Sequence, residues 1–196
     1  GDVYDNFSGT SAAAPMVAGV VSLLLQQRPD LGWRDVQQIL ALSASPVDYS
    51  PEKWARNGAG HLVSHDYGFG RVPAEAAMQL AAVWPLLAPV QQFSRTAFAD
   101  LPLSLVENQA VSQVLVVGNP LRIQFVRLHV EIDQSDWGDL LIELVSPAGT
   151  RSVLAEPHAN ANITPFDDVL DWTYLSTHYM NELSNGAWTL RITDTG

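Results

Sequence analysis

The chain has 196 residues, 47% of them hydrophobic, which is enough for one ordinary domain or two small ones with packed cores. It carries 21 acidic and 10 basic residues, a formal net charge of −11, which argues against nucleic acid or an anionic membrane as a partner, because both require a basic face. The absence of cysteine excludes disulfides, thiolate metal sites and a cysteine nucleophile. No charged segment followed by an apolar one opens the sequence, so we expect no signal peptide here.

The first landmark is a turn of small residues, Ser-Gly-Thr-Ser, that runs into an apolar segment over residues 12–25. Apolar residues fill nearly every position, which predicts a central helix that is buried on all sides. The segment is shorter than a usual membrane span of about 20 residues, and it contains Pro15 and Gly19. Ser11 then lies in the first turn, where free backbone N–H groups and the helix dipole stabilise negative charge.

Two more helices are predicted in the first half of the chain. Residues 33–42 place apolar side chains at helical spacing, and residues 73–84 begin with proline and continue with strong helix formers. Between them, residues 43–70 predict loops and short extended pieces, with tight turns at Gly68 and Gly70. Residues 85–102 contain three prolines and no clear period, which indicates a linker.

From residue 103 onward the patterns favour β structure. Residues 121–132 alternate apolar and polar side chains almost strictly, as a half-buried strand does. Residues 140–145 and 151–154 flank a turn that contains proline and glycine. Further strands are predicted at 173–175 and 188–192. Short strands with frequent turns indicate an antiparallel sandwich.

The run Gly-Thr-Ser-Ala-Ala-Ala-Pro at residues 9–15 resembles the nucleophile motif of subtilisin-like serine proteases, Gly-Thr-Ser-x-Ala-x-Pro. The resemblance implies that Ser11 is the nucleophile and that its N–H helps to form the oxyanion hole, with Gly9 and Thr10 as candidate substrate-binding residues. One alternative is a serine that only caps a buried helix. Another is the Gly-x-Ser-x-Gly elbow of α/β-hydrolases, which fits less well because Ala13 stands where that motif requires glycine.

Two further segments narrow the resemblance to the kexin/furin-type proprotein convertases. Leu-Gly-Trp-Arg-Asp-Val-Gln at 31–37 is similar to their Leu-Thr-Trp-Arg-Asp-x-Gln segment. Asn-Gly-Ala-Gly at 57–60, followed by Ser-His-Asp-Tyr-Gly-Phe-Gly at 64–70, looks like their next landmark. In that family the catalytic histidine and aspartate both precede the serine. The resemblance therefore implies that His61 and His65 are structural.

The second half resembles the P domain, the β-sandwich that follows the catalytic domain in kexin-like proteases, through the pieces 138–150, 171–173 and 186–190. The implied fold is a chain in two parts. Residues 1–88 form the C-terminal helical portion of an α/β subtilisin-like catalytic domain, 89–102 a linker, and 103–196 an antiparallel, jelly-roll-like sandwich. The family domain usually continues into one more strand, which we expect to be missing from this sequence.

The resemblance implies a serine-type endopeptidase that acts on polypeptides, with cleavage after basic residues. Because no general base, partner aspartate or oxyanion amide accompanies Ser11, we expect these residues to be inactive without the missing N-terminal part of the catalytic domain. The family also implies a secreted, periplasmic or cell-envelope location, and we expect no membrane span. The alternative from another class is a non-catalytic β-sandwich module, for binding or stabilisation, with a helical lead-in.

Calcium is the cofactor that the family implies, with most of its ligands outside this sequence. Within the sequence, carboxylates cluster at Glu131, Asp133, Asp136 and Asp139, and again at Asp167, Asp168 and Asp171. Calcium requires several converging oxygen ligands, and neither cluster has the spacing of an EF-hand. The candidate metal ligands are Asp133, Asp136 and Asp139, and the alternative is a pair of solvated loops.

Overall fold

The computed structural model describes residues 8–48, 50–96, 105–133, 137–158 and 169–196. The chain divides into two compact units, the first made of Gly1–Tyr49 and Phe69–Val90 and the second of Ser50–Gly68 and Gln91–Gly196. The helices are α1 (Thr10–Gln27), α2 (Trp33–Ser43) and α3 (Ala74–Ala82), with 3-10 turns at Pro51–Lys53 and Trp137–Asp139. The strands are β1 (Ala55–Arg56), β2 (Leu62–Val63), β3 (Ala110–Val117), β4 (Val126–Asp133), β5 (Leu140–Val145), β6 (Arg151–Ala155), β7 (Val169–Ser176) and β8 (Gly186–Asp194).

In the first unit, α1 forms where the apolar run predicts a helix. Its burial differs from the prediction, because Leu24 is the only buried side chain among those described in α1, and Met16 is 73% exposed. Among the described residues, apolar side chains pack against one side of α1, where Val20 and Val21 contact the core of the unit. By length and composition α1 could also cross a membrane, a property that it shares with core helices of soluble proteins.

The core of the first unit lies where α3 packs against α1 and α2. Its buried members are Leu24, Leu31, Val36, Ile39, Ala77 and Ala81. Arg28, just after α1, forms an ion pair with Asp30 at 2.8 Å. Its Nη1 also donates to the carbonyl oxygens of Ala81 and Trp84, at 2.9 and 3.3 Å. Since the last carbonyls of a helix have no partner within that helix, Arg28 satisfies the end of α3 and ties it to α1.

Asp35 connects α2 to the chain that follows α3. Its Oδ2 accepts the N–H of Gly32 at 2.9 Å, which caps the start of α2. Its Oδ1 accepts the indole N–H of Trp84 at 3.0 Å and the backbone N–H of Leu87 at 2.8 Å. Burial by itself would raise the pKa of the Asp35 carboxyl, but these hydrogen bonds outweigh burial and the pKa is lowered. The carboxylate is therefore held charged inside the unit.

The second unit is built from antiparallel strands, in a four-stranded sheet of order β3-β8-β5-β6 and a separate pair, β4-β7. The core residues come from both sheets and from the β3–β4 and β7–β8 connections. The buried ones are Val117, Ile123, Val130, Leu140, Ile142, Leu144, Leu170, Tyr179 and Trp188. The Tyr179 hydroxyl donates to the Leu144 carbonyl at 2.7 Å, and its ring meets Trp188 edge-on at 4.9 Å. The sandwich predicted from the alternating pattern is confirmed.

Individual strands follow the predictions with two differences. The segments 140–145 and 151–154 are β5 and β6, and the other two predicted strands lie inside β7 and β8. Strand β4 begins at Val126 and not at 121, because Ile123 pairs instead with the backbone of Asn181 and Glu182. Strand β3 was not predicted. It is an edge strand, and apolar residues such as Val114 lie on its exposed face. Because apolar residues lie on both faces, the sequence does not alternate as a half-buried strand does.

Residues 50–68 pack with the sandwich strands in the second unit. The Asn57 side chain donates to the carbonyls of His178 and Met180, in the connection between β7 and β8, at 2.9 and 3.0 Å. Gly68 closes a tight turn through two backbone hydrogen bonds with Ser64, as the sequence predicted. The boundary predicted near residue 88 stays a prediction, because a division into compact units is not the same as a division into domains.

A pair of imidazoles joins residues 50–68 to the same connection. The rings of His65 and His178 meet edge-on with 4.4 Å between their centroids, and the buried Nδ1 of His178 has no hydrogen-bond partner among the described residues. Burial, followed by the neighbouring His65, lowers the pKa of His178 to about 4, against a weaker opposing hydrogen bond with the Ser64 backbone. Burial and then Arg151 lower the pKa of His65. The carboxylates that act on His65 in the opposite direction are Glu156, Asp66 and Glu143.

We expect Asp35→Asn to destabilise the protein by about 1–3 kcal/mol. Both oxygens of Asp35 accept N–H groups, so the amide nitrogen of asparagine would face at least one N–H donor in a buried site. Chemical denaturation followed by tryptophan fluorescence measures the loss. Glu75→Gln is the matched control, since Glu75 is exposed on α3 and its side chain accepts a hydrogen bond from the exposed Gln79. Equal stability of the two variants would contradict the connecting role of Asp35.

We also expect stability to fall as the pH falls from about 6.5 to about 4, in part because of His178. The unfolded chain takes up a proton at the ordinary histidine pKa, whereas the folded chain resists protonation until its lowered pKa is reached. His178→Gln should flatten this part of the profile of unfolding free energy against pH. Gln109→Ala, at an exposed residue of the same unit whose side chain does not titrate, should leave the slope as it is. Parallel profiles for wild type and His178→Gln would refute this assignment.

Candidate active site

The turn before α1 sets the position of Ser11. Gly9 is the N-cap residue and has a φ of +84°, which glycine adopts without steric cost. The carbonyl of Gly9 accepts the N–H groups of Ala12 and Ala13 at 3.1 and 3.2 Å, and so closes the first turn. Thr10 is therefore the first residue of the helix and Ser11 the second. The alternative in which Ser11 only caps the helix is wrong, because Gly9 occupies the cap.

The start of α1 is open to solvent and to negative charge. Gly9, Thr10 and Ser11 are all exposed, no side chain caps the helix, and its first turn contains no acidic residue. The first N–H groups of an α-helix have no acceptor within it, and the dipole places about half a positive charge at this end. An exposed hydroxyl thus lies beside backbone donors that can stabilise an oxyanion.

Pro15 shapes the same turn from inside the helix. It lies within α1, four residues after Ser11, and proline has no N–H to donate to the carbonyl of the residue four positions before it. The Ser11 carbonyl therefore lacks its usual partner within the helix. Because this position is close to the helix start, the chain continues as a helix to Gln27 all the same.

The histidines considered from the sequence have partners within the second unit. The Nε2 of His61 lies 3.3 Å from the Asn181 side-chain nitrogen, and burial lowers the His61 pKa. His65 packs on His178, and its Nε2 accepts the Val153 N–H at 3.3 Å. These contacts support a structural role for both, which stays a prediction.

The carboxylates considered as calcium ligands do not converge within the described residues. Asp133 is exposed at the end of β4, and the backbone carbonyl of Asp139 accepts the N–H and the hydroxyl of Thr195. Glu131 faces Asp171 across the β4-β7 pair. Asp136, Asp167 and Asp168 lie outside the described residues. In the described part of the chain, no three histidine, cysteine, aspartate or glutamate side chains gather as metal ligands. Because Asp136 was not part of that search, the assignment of Asp133, Asp136 and Asp139 stays a prediction.

Comparison with protein families assigns both halves of the chain. Residues 1–70, which include Ser11, match the subtilase family. Residues 123–196 match the proprotein convertase P-domain. The two matches follow one another in the order that the sequence motifs predicted.

Curated relatives match nearly the whole chain. Furin of Rattus norvegicus is 34% identical over 197 residues, which cover 97% of this chain and 24% of furin. Proprotein convertase subtilisin/kexin type 4 of Rattus norvegicus is 35% identical over 204 residues, which cover 98% of this chain and 29% of the relative. The human type 6 convertase is 35% identical over 199 residues, 97% of this chain and 20% of its own length. The chain thus spans about a quarter of the length of these relatives.

A solved structure shows the same fold. The serine protease of Aeromonas sobria superposes with a TM-score of 0.83 at 30% identity, over 97% of this chain and 38% of the protease. The same protease in complex with its chaperone superposes with a TM-score of 0.84. The family matches, the relatives and the fold agree over both halves. Residues 1–70 are therefore a segment of the subtilase family, and residues 123–196 are a proprotein convertase P-domain.

Proposed function

We propose that the complete protein is a subtilisin-like serine endopeptidase and that Ser11 is its nucleophile. The observation that carries the proposal is the exposed Ser11 hydroxyl at the second position of a helix that has no side-chain cap, within the residues that match the subtilase family. Because the chain spans 24% of the length of furin, the proposal concerns the activity of the complete enzyme.

The proposed reaction is acyl transfer. The Ser11 oxygen attacks the peptide carbonyl carbon while a histidine takes the hydroxyl proton. The tetrahedral oxyanion accepts a hydrogen bond from the Ser11 N–H, where the helix dipole favours negative charge. The C–N bond then breaks, the amine leaves with the proton, and water hydrolyses the ester to free the serine. Gly9 and Thr10, next to the nucleophile, are the proposed substrate contacts.

The general base, its aspartate and the second oxyanion donor come, in this proposal, from residues that precede the serine in the family. The largely exposed α1 supports it, since an apolar helix with a partner on one side requires further packing. We propose that the rest of the catalytic domain covers the open side. We also propose that the calcium sites of the family lie in the rest of the catalytic domain, outside the described residues.

The proposed substrates are polypeptides with a basic residue before the cleaved bond. A formal charge of −11 is compatible with cationic peptides, because a negative potential attracts them over long distances. The convertase relatives support this substrate class and a secreted or cell-envelope location. The P domain is the proposed partner of the catalytic domain within the same polypeptide.

A fluorophosphonate probe, which reacts with activated serines, tests the nucleophile in the purified complete protein. We expect Ser11→Ala to abolish labelling and to lower peptide hydrolysis by at least about 10³-fold. Ser8→Ala is the matched control, since Ser8 is an exposed serine three residues earlier, and it should label normally. Unchanged labelling of Ser11→Ala would refute the assignment. Absence of labelling in folded wild-type protein would favour the non-catalytic binding module.

A further inference from the structure

The second unit contains two Asn-Gly sequences, and each glycine is fixed by close packing around one turn. A Cβ at Gly58 would lie 2.2 Å from the Ala148 Cβ. A Cβ at Gly186, where φ is +125°, would lie 2.6 Å from the Pro147 Cβ. Both positions therefore require glycine. The glycine has a chemical consequence for the asparagine before it. Because glycine has no side chain, it shields the asparagine amide from the next backbone nitrogen less than any other residue would.

The chemistry is an intramolecular attack. The backbone nitrogen of the glycine attacks the asparagine Cγ and loses its proton, a new N–C bond forms, and the Cγ–Nδ2 bond breaks to release ammonia. Water then opens the resulting succinimide at either carbonyl, which yields aspartate or isoaspartate. Asparagine and one water thus give an acid and ammonia, with no change of oxidation state. The reaction requires an asparagine side chain that can turn its Cγ onto the glycine nitrogen.

Asn57 has no such freedom. It is 4% exposed, and its Nδ2 is held by the two carbonyls from the β7–β8 connection. Its Oδ1 accepts the N–H groups of Ala59 and His61, both at 3.0 Å. Four hydrogen bonds fix the plane of the amide, so the Cγ cannot turn toward the next nitrogen without breaking them.

The nitrogen of Gly58 is fixed as well. Its N–H is donated to Glu182 Oε1 at 2.8 Å and to Thr150 Oγ1 at 3.0 Å. The Thr150 hydroxyl in turn donates to the same oxygen of Glu182, and the Glu182 side chain is 2% exposed. A carboxylate that accepts a backbone N–H makes a strong, charge-assisted hydrogen bond. We call Asn57, Gly58, Thr150 and Glu182 the turn clamp.

Asn185 lies in the opposite environment. It is exposed, and within the described part of the chain its side chain makes no hydrogen bond. It borders a water-accessible cavity of about 690 Å³, so water can reach the succinimide. Gly58 and Glu182 line the same cavity, so the contrast with Asn57 rests on the hydrogen bonds of the side chain and not on access of water. Asn185 also immediately precedes β8, whose first residue pairs with Val117 of β3.

We propose that Asn185 is a site of spontaneous deamidation and that the turn clamp protects Asn57 from the same reaction. Conversion of Asn185 adds a negative charge beside the cavity. The isoaspartate product also adds a methylene to the backbone immediately before β8, which disturbs the β3–β8 pairing. The modification therefore lowers stability from the start of β8, and it does so independently of the proposed protease activity.

The test incubates the folded, purified protein at mildly alkaline pH and follows both sites by peptide mapping with mass spectrometry. We expect Asn57 to convert at least about tenfold more slowly than Asn185, since its reaction requires local opening. In denaturant the two sites should convert at similar rates, which separates the effect of the fold from that of sequence. Equal conversion in the folded protein, or an unmodified Asn185, would overturn the proposal.

Variants test the clamp itself. Glu182→Ala removes one of the two acceptors of the Gly58 N–H and leaves Thr150 Oγ1 as the other. It should accelerate conversion of Asn57 without changing that of Asn185. Glu107→Ala removes an exposed acid of the same unit as a control. Circular dichroism checks that each variant is folded, and Thr150→Val, which removes one hydroxyl, replaces Glu182→Ala if that variant unfolds. Folded clamp variants in which Asn57 converts as slowly as in wild type would overturn the protective role.

Discussion

Each unit of this chain contains a buried acidic side chain that accepts a backbone N–H from a distant segment. In the first unit Asp35 caps α2 and holds the chain after α3. In the second unit Glu182 holds Gly58, 124 residues earlier in the sequence. A carboxylate that loses its partners in such a place is costly, because the charge remains buried without compensation. Both contacts therefore have to form together with the packing around them, and they fix distant segments in register.

The candidate nucleophile depends much less on distant contacts. Gly9 with its positive φ, the hydrogen bonds to its carbonyl and Pro15 within the first turns are local features, and together they place Ser11 at an open helix start. Such features are encoded by neighbouring residues, so the motif was readable in the sequence. The burial of α1 was not, since it depends on which other residues pack on it. The described chain covers one side of the helix.

Strand prediction succeeded where one face is buried and failed where pairing departs from the alternating pattern. Residues 140–145 form β5 as predicted, because both neighbouring strands belong to the same sheet. Ile123 fits the alternating pattern of β4 but bonds to the β7–β8 connection. The edge strand β3 has apolar side chains on its exposed face as well, so its sequence shows no alternation of apolar and polar residues. The partner of a backbone segment is a property of the whole sheet, and local alternation does not specify it.

The sequence by itself determined the resemblance to the convertases and the sandwich, and it proposed the serine, because these rest on contiguous motifs and on short-range periodicity. It also determined that two asparagines precede glycine. Only the tertiary structure decided that Asn57 is clamped and Asn185 exposed, that His178 has a lowered pKa, and that residues 50–68 pack with the sandwich. The physical reason is that solvent exposure, hydrogen-bond partners and proton affinity depend on segments brought together over more than a hundred residues, whereas turns and caps depend on neighbours in the chain.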